Sequence, residues 1–293
     1  MTRYPRRNRA KPRRFPGKGP GGFTLIEALI AAGAFVIVLL AIYSGFESSR
    51  ATYEAGQQKA GIQQSARIAV ELMEGDLMLA GYGFPKSGAD CDGDLNPDNA
   101  IMVASPTLVT FCADPFNAST IIVNADVSPG DTILSVQKAS AIQAGNTIFL
   151  INGGRWEPLT VQALNTGSTP HVITTTPGVT DSYPWGSQVG RPLRVSYCWY
   201  DAPDVDGIPA PAPCAGLPPN TLYRDRGAGA GYQPLANNIQ SLRFQYFDAN
   251  DVATANPVDI RRISITVTAQ APPGWWRPQT FSIVSDVRPR NLH

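Results

Sequence analysis

Residues 23–46 run as 24 positions with a single charge, Glu27. As a helix rising 1.5 Å per residue the stretch is roughly 36 Å long, enough to cross the ~30 Å hydrocarbon core of a bilayer. Nothing else in the chain so narrows what it can fold into, because such a helix needs lipid or other apolar helices around it. Glu27 adds a second constraint. A lone carboxylate in an apolar helix costs a few kcal/mol in lipid unless it finds a partner, so an intramembrane acid points to function. A secretory signal fits poorly: its apolar core is about 7–15 residues long and ends in a small-residue cleavage site, whereas here Gly21-Gly22 precedes the run. An ordinary membrane anchor is the plainer alternative.

The formal charge of +1 hides an asymmetry. Eight of the 24 basic residues and none of the 23 acidic ones lie in residues 1–22; without that segment 16 basic side chains face 23 acidic ones, a net of −7. A nucleic-acid-binding body needs a concentrated basic surface in the finished protein, so none is expected. The basic segment, rich in Pro and Gly, instead suits the side of a membrane where positive charge is retained.

Gly21-Gly22-Phe23-Thr24-Leu25-Ile26-Glu27 and the apolar helix after it resemble the class III signal of type IV pilins and of the pseudopilins of type II secretion. The resemblance implies that a prepilin peptidase cuts between Gly22 and Phe23 on the cytoplasmic side and that Phe23 is then N-methylated. It also implies that Glu27 pairs with the amino terminus of a neighbouring subunit during assembly, with Thr24 close enough to assist. That pairing supplies the partner that a buried carboxylate requires.

Beyond residue 46 the helical spacing continues with a changed character. Ile62, Ala66, Ala69 and Met73, broadened by Leu72, Leu77 and Ala80, recur at three and four residues, the pattern of one helix face against a globular body. Gly81-Tyr82-Gly83 and then Pro85 supply the stop. Many of the pilins that the chain resembles carry a proline that kinks the helix about 22 residues in; this chain has Ser44-Gly45 in that place.

The remainder reads as strands over residues 100–104, 107–113, 120–123, 132–137, 147–151, 158–164, 172–175, 191–200, 221–223, 239–247, 259–269 and 280–285, separated by Gly, Pro, Asn and Asp clusters. With no long helical pattern between them, antiparallel pairing follows. The expected fold is α+β: a long N-terminal helix packed on an antiparallel β-sheet head. Within the head, residues 123–179 read as an inserted small β module. Leu222-Tyr223-Arg224 and residues 238–248 and 259–267 are similar to the C-terminal strands of PilW-type minor pilins, and the helix end at residues 76–83 shares that similarity.

The four cysteines, Cys91, Cys112, Cys198 and Cys214, allow three connectivities. Pairing Cys91 with Cys112 and Cys198 with Cys214 closes two short local loops, each worth ~3 kcal/mol by the chain-entropy model. A four-cysteine zinc site lacks the usual C-x-x-C spacing.

Residues 90–98 place Asp90, Asp92, Asp94, Asn96 and Asp98 at alternate positions, a row of oxygen donors that suits calcium. Gly93 falls at the fourth position of this loop, where an EF-hand wants glycine at the sixth, and no glutamate follows at the twelfth. A solvated acidic turn tied down by Cys91 is the alternative reading. Residues 201–207 read as a hairpin loop closed by Cys198 and Cys214. Neither histidine, His171 or His293, sits in a recognisable nucleophile motif, and no phosphate-loop, dinucleotide or H-E-x-x-H signature occurs, so no enzyme is expected. Trp275-Trp276 form an apolar tip that either covers the sheet or anchors a partner.

The expectation is therefore a leader (1–22), a transmembrane and filament-core helix (23–46), its amphipathic second half (47–83) and a periplasmic β-rich head (84–293). The resemblance implies a minor type IV pilin with no cofactor other than a candidate calcium. Its partners would be the prepilin peptidase, other major and minor pilins and the inner membrane, before export to a pilus at the cell surface. The alternatives are a J-like minor pseudopilin of type II secretion, or a pilus-displayed binding module using the inserted β domain.

Overall fold

A single helix of 54 residues, α1 (Leu25–Met78), takes up the apolar run and the polar stretch after it. It stays helical through Ser44 and Gly45, where the Ser44 hydroxyl donates to the Ala41 carbonyl at 2.9 Å. The computed structural model describes residues 22, 24–85, 88–94, 96–201, 211–271 and 279–292. The chain divides into two units, residues 1–56 and 57–293. In the first, the described residues up to Tyr53 are all exposed, so its apolar side chains have no protein cover.

In the second unit α1 buries Ile62, Ala66, Ala69, Val70, Met73, Asp76 and Leu77. The expected stripe differs at one place: Leu72 is 37% exposed and Val70 is buried. Leu72 sits about 100° around the helix from Met73, past the edge of the stripe. The helix closes with tight turns, Leu79 N–H to Asp76 O at 3.0 Å and Ala80 N–H to Leu77 O at 3.1 Å, and then Gly81 at φ +80°. A side chain at Gly81 would also press on the Asn291 carbonyl at 3.0 Å, so the stop depends on glycine.

Fourteen strands follow among the described residues: β1 (Ile101–Ala104), β2 (Leu108–Ala113), β3 (Thr120–Ile121), β4 (Ile133–Val136), β5 (Thr147–Asn152), β6 (Arg155–Asn165), β7 (His171–Thr176), β8 (Gln188–Gly190), β9 (Leu193–Cys198), β10 (Thr221–Asp225), β11 (Gln233–Asn237), β12 (Ile239–Phe247), β13 (Arg262–Gln270) and β14 (Thr280–Val287). Two antiparallel sheets, β1-β2-β9-β10-β11 and β12-β13-β14, make the head. Their inner faces share one core with α1, in which Met73 and Leu77 meet residues such as Phe111, Tyr197, Leu242, Ile265 and Val267. Each such fully buried side chain contributes roughly 1.5–3 kcal/mol. The fold is α+β, as the sequence led us to expect.

β3 to β8 form a different body. Their order is β3-β8-β5-β6-β7-β4, antiparallel at every step. The ends of that row meet, because Ile122 bridges Val136, Val123 N–H donates to Ser135 O at 2.8 Å, and Gln137 N–H donates to Ile121 O at 3.0 Å. The result is a closed six-stranded barrel filled by its own side chains, among them Leu134, Ile148, Leu150, Leu159, Ile173 and Tyr183. Its strands run from Thr120 to Gly190, beyond both limits of the 123–179 block. The barrel sits in a hairpin connection of the head, since β2 and β9 pair directly with Ala113 opposite Leu193. Gly190 lets the barrel touch the turn after α1; a Cβ there would overlap the Gly83 carbonyl.

Two strands escaped the sequence reading. β8 is three residues long and ends in glycine, and β11 carries Pro234, which argues against a strand except at a sheet edge.

Candidate functional site

At the start of α1, Thr24 precedes the first helical residue. Its hydroxyl accepts the Glu27 N–H at 3.3 Å, while the Glu27 carboxylate accepts from the Thr24 hydroxyl at 3.3 Å and the Thr24 N–H at 3.4 Å. This is a capping box, in which the N-cap residue and the third helical residue satisfy each other's backbone donors. Glu27 thus has a local partner within its own helix turn, a role the sequence reading did not consider. Gly22 is exposed, and a side chain there would touch nothing. Phe23, the expected site of cleavage and methylation, lies outside the described residues, as do residues 1–21. The helix is long and apolar enough to cross a membrane, and its most apolar stretch is uncovered by the rest of the protein. It suits an anchor or a signal.

The acidic loop brings together part of its candidate set. Carboxylate oxygens of Asp90, Asp92 and Asp98 lie within 4.8 Å of one another. Asp94 accepts the Asn96 N–H at 2.8 Å, and hydrogen bonding by the Asn96 side chain and then its backbone holds the Asp94 carboxyl below the usual range. Asp98 accepts the Cys91 N–H at 2.8 Å while its own N–H donates to Ala89 O at 2.8 Å, which cinches the loop. Burial first, and then the charges of Asp92, Asp90 and Asp94, push the Asp98 carboxyl up against the pull of the Cys91 N–H. Asp92 has a cationic neighbour, the Arg194 guanidinium at 3.5 Å. Three converging carboxylates are a donor set for a hard cation, and Asp94 is not among them.

The disulfides are Cys91–Cys112 and Cys198–Cys214, with Cα atoms 6.2 and 6.3 Å apart. The first joins the acidic loop to β2, beside a cluster in which Phe84 of the head meets Phe149 of the barrel, and Phe149 in turn meets Trp156. Next to this contact opens a cleft of about 1210 Å³, with Asp90 and Asp92 on one side, Gln143, Asn146 and Trp156 on another, and Arg194 at the head. The Asp204 and Asp206 stretch, Trp275-Trp276 and His293 lie outside the described residues. His171 accepts the Ala139 N–H on Nδ1 at 3.0 Å, a structural bond inside the barrel.

One cluster had only a faint sequence signal. Asp76, in the last turn of α1, accepts a hydrogen bond from the Tyr197 hydroxyl at 2.6 Å and pairs with Arg224 from β10. Both charged side chains are nearly covered, and burial together with Asp76 drives the Tyr197 phenol far up. An acid at a helix C-terminus opposes the helix dipole, so Asp76 in that turn was the clue that a cation must come to it.

Geometry and composition define a protein class: a membrane-length N-terminal helix carrying an antiparallel head with a barrel inserted in it. No family, curated protein or solved structure matches the chain.

Proposed function

We propose that the chain is a minor type IV pilin, a substrate of prepilin peptidase whose N-terminal helix draws it from the inner membrane into a pilus or a pilus-initiating complex. The observation that carries this reading is the sequence Gly22 to Glu27 at the head of a 54-residue helix whose first half is apolar and uncovered. The head lies in the periplasm, where disulfides persist, and the net negative mature chain has no role on nucleic acid. In the filament, contacts between apolar helices replace lipid, and Glu27 exchanges its bonds to Thr24 for the amino terminus of a neighbour. No catalytic role is assigned.

The deciding experiment is the intact mass and N-terminal sequence of the membrane-purified protein from cells with and without prepilin peptidase. A methylated Phe23 terminus that appears only with the peptidase is expected; a leader retained in both strains overturns the reading. Glu27→Gln should insert normally and assemble poorly. Loss of pili on deletion, with secretion intact, separates a pilin from a J-like pseudopilin of type II secretion.

The separately cored barrel favours a second reading, in which the helix and head deliver a binding module. Calcium is the ligand to try first, at Asp90, Asp92 and Asp98. Calorimetry of the full chain with calcium tests it.

A further inference from the structure

Every sheet edge among the described residues except one is closed, shortened or blocked. The barrel has none. β1 is four residues long with a register shift between Ile101 and Val103. β11 carries Pro234 and lies across a register shift at Leu222/Tyr223. The outer edge of β12 is occupied: Phe244 N–H donates to Pro106 O at 2.8 Å, Ile239 N–H to Asn220 O at 3.0 Å, and Tyr246 O accepts from Thr254 N–H at 3.0 Å. These are the standard ways in which proteins blunt an edge against pairing with another chain.

β14 has none of them. It pairs with β13 over eight consecutive residues without a bulge, contains no proline or lysine, and has no strand among the described residues on its other side. The Ala271 N–H bonds the directly opposite Gln279 O at 2.9 Å. In an antiparallel ladder the bonded positions then alternate, so Phe281, Ile283, Ser285 and Val287 face β13 with their backbone groups. Thr280, Ser282, Val284 and Asp286 turn their N–H and C=O groups outward, and no described residue bonds them. Phe281 and Ile283 lie only half-buried at the margin of the core, and Val284 is 64% exposed.

We propose that β14 is a docking edge that takes an extended strand from another polypeptide by β-augmentation, an occupant of defined chemistry. Residues 280–285 carry no charge, and Asp286 is already engaged by Arg262 at 3.2 Å. Beyond it Arg288, which also meets Asp251 at 3.4 Å, and Arg290 are exposed. The complementary strand is uncharged except for one terminal acid that it brings beside Arg288, and it alternates apolar residues that complete the cover of Phe281 and Ile283. A second copy is the less suitable occupant. Antiparallel β14–β14 pairing centred on Val284 sets Arg288 of one copy opposite Thr280 of the other, so a second copy brings no acid to it. The proposal does not rest on the pilin reading.

The probe is an end-blocked heptapeptide, Glu-Val-Thr-Val-Thr-Val-Thr, added to the full-length protein in detergent while amide hydrogen exchange is followed. The expected result is slowing by about tenfold or more at Ser282, Val284 and Asp286. Val284→Pro should abolish that slowing and leave the amides of Ile265 and Val267 unchanged, because an outward N–H is not part of the β13 ladder. Val284→Lys, which keeps the N–H but sets a charge on the flat edge, should weaken it. Unchanged exchange at millimolar peptide, or slowing that survives Val284→Pro, overturns the proposal. So does protection of the same amides that rises with protein concentration alone, since the occupant is then a second copy.

Discussion

The barrel and the helix-backed head are both antiparallel β structures, and they bury their apolar faces in different ways. The barrel closes on itself and fills its interior from residues 118–189 alone. The head leaves its sheets open and covers them with α1, so its core joins Ile62 to Val287 and uses nothing between Ala113 and Val195. Local, self-contained cores unfold as units of their own, whereas a core assembled from distant segments is lost all together. The difference teaches that the head cannot be stable without residues 57–78, while the barrel has no need of them. Two unfolding transitions are expected.

The comparison breaks most sharply at Arg224. Replacing it with Met strands the Asp76 carboxylate among apolar groups, with only the Tyr197 hydroxyl to hold it, and an uncompensated buried charge of this kind costs about 3–5 kcal/mol. Calorimetry of the full chain should show the head transition falling and the barrel transition holding. The double variant Asp76→Leu/Arg224→Met should recover most of the loss, because a buried pair can be exchanged for apolar residues at little cost.

Leu150→Ala makes the reciprocal cut. Leu150 is fully buried in the barrel, and its truncation should remove about 2–5 kcal/mol from that transition. Exchange should quicken at Leu134, Ile148 and Leu159 and stay the same at Ala69 and Met73. If the amides of α1 quicken equally, the barrel is not autonomous.

What the sequence disclosed of these two bodies followed from how local each signal was. The helix, its stop and most of the strands were legible because periodicity and glycine punctuation act within a few residues. The stripe on α1 failed only at Leu72, where a three-four count drifts off the buried face. The barrel was seen as a block and not as a barrel, because closure rests on two hydrogen bonds between residues 121–123 and 135–137, and no composition encodes that pairing. At the acidic loop, alternation suggested five ligands. Asp90, Asp92 and Asp94 each accept an N–H two residues ahead, as aspartates in Asx turns do, and only the first two still converge on Asp98. The link from Asp76 to Arg224 spans most of the chain, so only the awkward placement of an acid in the last helical turn hinted at it.

The smallest expected effect lies where the two bodies meet, at the acidic loop. Asp98 has its carboxyl raised in the folded loop, first by burial and then by the neighbouring aspartates. A raised folded value means that the folded loop holds its proton more firmly than the unfolded chain does. The resulting stabilisation is complete below the ordinary carboxylate range and is lost as the pH climbs through the raised value. Exchange of the loop amides, corrected for its intrinsic pH dependence, should therefore quicken modestly above that point, with little change in either core. Asp98→Asn keeps an acceptor for the Cys91 N–H and removes the charge, so its loop should show no such step. A calcium ion among Asp90, Asp92 and Asp98 would do at neutral pH what the proton does in acid. Millimolar calcium should then slow exchange at neutral pH and have no effect in acid; if it has no effect at either, the three carboxylates meet only to repel one another.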